Sequence, residues 1–129
     1  MSTRAASGLF LLAALYDGIL GLLFLVAPGY VFEIAAVTPP NHMGYVRFPA
    51  ALLLVFALMF ASIARDPGAR RGLIPYGVGL KLSYMGVVFG YELTQGIPSI
   101  WIPFAWADLA FMLAFVWAWL SFARPARPD

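Results

Sequence analysis

The chain has no cysteine, a single histidine and few charged side chains, and each scarcity removes a class of function. Without cysteine there are no disulfides, iron–sulfur clusters or thiolate metal sites. With His42 as the sole imidazole, a haem held by two histidines of one chain is excluded, as are zinc sites that need several His or Cys ligands. No metal and no resident cofactor are expected. Charge is just as sparse: eight Lys and Arg stand against six Asp and Glu, 11% of 129 residues, for a formal net charge of +2. The arginines form no stretch that could neutralise a row of phosphates, so nucleic acid is not an expected partner.

Apolar residues fill the space that charge leaves. They make up 63% of the chain, where water-soluble domains carry about 45–50%. Crossing the hydrocarbon of a bilayer as helix takes about 20 mostly apolar residues, and segments 8–27, 45–64, 73–93 and 100–122 reach that length. The expectation is an all-α fold, an integral membrane four-helix bundle in which residues 1–129 form one domain. The first segment reads as a retained helix, because its apolar run exceeds a typical signal-peptide core and Pro28 sits badly for cleavage after Ala27. Pro49, Pro75 and Pro103 fall near segment starts, where a missing N–H costs little, and Pro28 follows the end of the first.

The connections are short and polar, apart from the first. Arg65-Asp66-Pro67-Gly68-Ala69-Arg70-Arg71 makes segments two and three antiparallel neighbours, and Thr94-Gln95-Gly96-Ile97-Pro98-Ser99 does the same for three and four. The longer stretch from Pro28 to Gly44 contains Tyr30-Val31-Phe32-Glu33-Ile34, expected as a short amphipathic turn lying at the interface. Arg4, Arg65, Arg70, Arg71, Arg124 and Arg127 fall on one side of the spans, against Arg47 on the other. Since Lys and Arg are retained on the cytoplasmic side in short loops, both termini and the Arg65–Arg71 loop are expected in the cytoplasm, in a multi-pass protein of the cell inner (plasma) membrane.

Three ionisable residues lie inside the spans. A charge at mid-bilayer costs about 2.5–3.5 kcal/mol on insertion scales, so each needs a partner or a function. At about 1.5 Å per residue, Asp17 sits roughly 14 Å from the cytoplasmic start of its helix, Lys81 roughly 12 Å and Asp108 roughly 18 Å. These depths agree within about one turn, near the middle of a core about 30 Å thick, so the three side chains are expected to meet. Tyr84 and Tyr91 continue the Lys81 face with hydroxyls, whereas Tyr16 is expected to point elsewhere. Trp101, Phe104, Ala105, Asp108, Phe111 and Phe115 recur at helical spacing, as the wall of a pocket for an apolar molecule or as core packing. Tyr84, Tyr91, Trp101, Phe104 and Phe111 are thus the candidate ligand-binding residues.

Several readings of the charged cluster stay open. A Lys–Asp pair between helices can serve only to fix their register. It can also mark a site for a lipophilic small molecule such as a quinone or lipid, in a protein that acts alone or as an accessory subunit of a membrane complex. As an enzyme, the chain would use Asp17 and Asp108 as acid and base, with Lys81 and Tyr84 orienting a lipophilic substrate for isomerisation, cyclisation or epoxide opening. A proton or ion relay uses the same carboxylates. Near the opposite surface, Glu33, His42, Arg47 and Glu92 can form a polar lid or serve separately as interfacial anchors. Gly86-Val87-Val88-Phe89-Gly90 is a GxxxG, suited to close packing within the chain or to a homodimer. Trp101 and Trp119 fall near opposite interfaces, as an aromatic belt would place them.

The layout resembles the DoxX-like group of small bacterial four-helix membrane proteins. The residues that carry the resemblance are Asp17-Gly18, Pro28, the turn Ala64-Arg65-Asp66-Pro67, Lys81, and Trp106-Ala107-Asp108-Leu109-Ala110-Phe111. It implies the four-helix fold and, since some members are associated with quinone-linked oxidoreductase complexes, a redox partner that would have to bring its own cofactor.

Overall fold

Ser2 begins the first helix by accepting the Ala5 N–H on its Oγ at 3.1 Å, so α1 (Thr3–Val26) starts several residues before the apolar segment does. That is the computed structural model's description of residues 1–123; Arg124 and Arg127 lie outside the described residues. Pro28 does not merely end α1. It occupies the first turn of a separate short helix, α2 (Pro28–Ile34), where its missing N–H is one that a helix start leaves unpaired anyway. Ala36, at φ 53°, then turns the chain out of α2, with the Val37 N–H donating to the Phe32 carbonyl at 3.0 Å.

Three long helices follow: α3 (Gly44–Arg65), α4 (Ile74–Thr94) and α5 (Trp101–Ser121), with a single 3₁₀ turn at Arg71–Leu73 leading into α4. Gly96 ends α4 at φ 80°, a conformation a side chain would resist, and its N–H reaches back to the Tyr91 carbonyl. Among the described residues there is no strand. Four helices, α1, α3, α4 with its 3₁₀ lead-in, and α5, are long and apolar enough to cross a membrane.

The four long helices associate as two tight pairs, α1 along α3 and α4 along α5, and the pairs meet each other at few points. Small residues set the closest approaches. A Cβ at Gly21 would lie 2.9 Å from the Ala50 carbonyl oxygen on α3, and one at Gly77 only 2.6 Å from the Phe60 ring. The pairs join at the arginine-bearing end, where Phe10, Phe60 and Phe115 stack with centroids 4.8–6.1 Å apart over Ile63, Ile74 and Ala118. Arginines close that end: Arg70 Nη1 donates to the Ser62 carbonyl and Oγ, both at 2.6 Å, and Arg71 Nε donates to the Trp119 carbonyl at 2.7 Å with its guanidinium over the Trp119 ring.

Outside, the helices carry leucine, isoleucine and valine: Leu11, Leu15, Ile19, Leu58, Leu113 and Leu120 are all exposed. A water-soluble monomer would hide these. Gly86 and Gly90 also face outward, with nothing within 4 Å of a Cβ at either, so the GxxxG is not used for packing within the chain.

Candidate functional site

Lys81, on α4, reaches both to its paired helix α5 and across the bundle to α1. Its Nζ lies 2.7 Å from Asp17 Oδ1 on α1 and 2.9 Å from Asp108 Oδ1 on α5, so the three ionisable residues of the spans do meet. All three are buried, with Lys81 and Asp17 each 1% exposed. Matched positions along separate helices bring them together, and the cost of leaving any one unpaired in apolar surroundings keeps them there. The two carboxylates are not equivalent. The Asp17 side chain is 2% exposed and the Asp108 side chain 9%, so Asp108 presents more of itself to whatever lies alongside. Asp17 Oδ2 is buried with no hydrogen-bond partner, and so is the Tyr16 hydroxyl.

Aromatic rings take up the remaining faces of the ammonium. Lys81 Nζ stands 5.1 Å from the Phe111 ring centroid, 5.2 Å from Tyr16 and 5.9 Å from Phe60. The triad thus forms a floor. On its arginine side the bundle is filled by the phenylalanine stack, and on its other side it is hollow.

The hollow is a cavity of about 810 Å³, within the range of about 300–1,000 Å³ typical of small-molecule sites. Among the described residues Asp17, Lys81 and Asp108 supply all its charge, and rings of Tyr16, Phe24, Phe56, Tyr84, Trp101 and Phe104 supply much of its wall. The far end is roofed by Phe32 of α2 with Val37, Thr38 and Pro40 of the following loop. Tyr84 holds the wall in shape by donating its hydroxyl to the Trp101 carbonyl at 2.9 Å. The side between α3 and α4 is open. Leu52 and Val87 line the cavity from these helices while remaining 41% and 59% exposed.

Some residues singled out from the sequence stand elsewhere. Tyr91 is 46% exposed and does not line the cavity. Phe111 supports the triad from the packed side, stacked near Tyr16 and Phe115. Tyr16, expected to point away, instead lines the cavity and lies beside Lys81. Its placement depended on the rotation of α1, which hydropathy in so uniformly apolar a helix does not reveal.

Glu33, His42, Arg47 and Glu92 are all exposed and form no ion pair with one another, so they do not make a joined polar lid. Arg47 donates to the Leu25 carbonyl at 3.1 Å, and His42 Nδ1 accepts the Gly44 N–H at 2.9 Å. The actual roof is apolar. Phe32, buried and edge-on to Trp101, was the missed signal, readable in hindsight as the one large ring on the inner face of α2.

Fold and site together define a class: an all-helical chain with four candidate membrane spans around an aromatic cavity floored by a buried Asp–Lys–Asp cluster. Compared with known protein families, curated proteins and solved structures, the chain matches none.

Proposed function

We propose that the chain is a multi-pass membrane protein whose cavity binds a lipophilic small molecule that enters from the bilayer between α3 and α4. The observation that carries this reading is an apolar cavity of about 810 Å³, open on a lipid-suited side and provided with charge at one end only. A charged group in hydrocarbon orients an amphiphilic guest, head to the triad and body along the rings. Helix packing alone would not require a hollow of this size above the triad. The arginine-bearing end faces the cytoplasm in this reading, and membership of the DoxX-like group belongs to it as well, on Asp17, Lys81 and Asp108.

The test is native mass spectrometry of the chain released in mild detergent, with an organic extract of the same sample analysed for small molecules. A stoichiometric lipophilic molecule is expected, and its loss from a Leu53→Trp variant, which fills the cavity, would place it there. A bundle that carries no such molecule, and takes none up from total membrane lipid, overturns the proposal. A second reading, an enzyme for a lipophilic substrate, draws on the unequal exposure of the two carboxylates, which would let Asp108 meet the substrate while Asp17 holds Lys81. It requires that the extracted molecule be converted by the wild-type chain and not by Asp108→Asn.

A further inference from the structure

The charge balance of the cavity singles out one kind of guest. Two carboxylates, Asp17 and Asp108, share one ammonium, and among the described residues no other charged side chain lines the cavity. One formal negative charge is therefore left over in surroundings that cannot solvate it, so it is balanced by a proton on one carboxyl or, when one is bound, by a cationic guest. Lys81 cannot serve a ligand acceptor well, because its Nζ is held by an Asp oxygen on either side and packed among three rings. Asp17 Oδ2, 1% exposed at the residue level, has no partner at all. The Tyr84 proton is committed to the Trp101 carbonyl. The polar end of the cavity is thus short of positive charge, while the aromatic rings above it present the negative faces that attract cations.

We infer that the cavity selects a lipophilic organic cation of single positive charge, an amine or onium with an apolar body, over neutral molecules of the same shape. This rests on the cavity being a ligand site, as proposed above, and narrows the class of ligand it takes. Such a guest sets its charge near Asp108, the more open carboxylate, and brings the cluster to neutrality without displacing Lys81.

The experiment compares tetraphenylphosphonium with triphenylmethanol, a neutral alcohol of similar shape, by equilibrium dialysis against the full chain in mild detergent. Saturable binding of the cation, at least about tenfold tighter than the alcohol, is expected. Asp17→Asn and Asp108→Asn each neutralise the cluster, and each is expected to reduce that ratio by about tenfold. A ratio near unity in the wild-type chain, or one that neither variant changes, overturns the inference. Saturable binding of the alcohol with no preference for the cation would do so while leaving the cavity reading intact; saturable binding of neither probe removes both. The wild-type comparison decides even if an Asn variant does not fold.

Discussion

At the scale of single residues, Lys81 carries more than its own charge. It joins the α4–α5 pair to α1, where the backbones of the two pairs meet at few points. Breaking a buried pair by removing one partner costs about 3–5 kcal/mol, because the surviving charge keeps its desolvation penalty and loses its compensation. Lys81→Met strands two carboxylates within reach of each other. It is expected to lower unfolding stability by about 3–5 kcal/mol, read by thermal or denaturant unfolding in detergent. Asp17→Asn is expected to cost less than Lys81→Met, since Lys81 would keep Asp108; an equal or larger loss would show that Asp17 is the true anchor. That these three residues share a depth was legible from counting along the helices. The exposure difference between the two aspartates was not, because it depends on where the cavity lies.

At the scale of elements, close contact is concentrated at two glycines. Gly77 admits the edge of Phe60, the ring that also meets Phe10 and Phe115, and so lets α4 approach the far pair of helices. Gly77→Val drives a branched side chain into that ring, and overpacking of this kind costs about 1–3 kcal/mol. The expected result is a loss of stability in that range, measured by unfolding, whereas Gly86→Val, which faces open space, is expected to leave unfolding unchanged. Helix bounds were readable in the sequence to within a few residues, except at α1, where Ser2 capping extends the helix past its apolar run. The short α2 was read only as an interfacial turn. Its apolar face and its proline allow either, and docking of Phe32 on Trp101 decides the outcome.

At the scale of the whole molecule, one half of the bundle is solid and the other hollow. The phenylalanine stack fills the arginine-bearing half, and the cavity occupies the rest. Because the chain has no cysteine, single cysteines report sidedness without background. If the arginine-bearing end faces the cytoplasm, as proposed, Asn41→Cys in intact cells is expected to react with a membrane-impermeant maleimide. Ala69→Cys is expected to react only after lysis. The reverse pattern would invert the proposed orientation, and labelling of both in intact cells would mean that the four helices do not all span.

What the sequence determined by itself was whatever is set by cost along a single helix. Twenty-odd apolar residues must be buried or placed in lipid, and an ionisable residue at mid-span must find a partner at the same depth. These yielded the four long helices and the meeting of Asp17, Lys81 and Asp108. Tertiary structure alone decided the rotation of each helix and the gap between the two pairs. In helices apolar on every side, no hydrophobic stripe marks an inner face, so Tyr16 and Tyr91 exchanged their expected places, and of the cavity only the Tyr84, Trp101 and Phe104 wall was legible in the sequence. Its existence depends on how far Gly21 and Gly77 let backbones approach at some levels and how far bulky rings hold them apart at others.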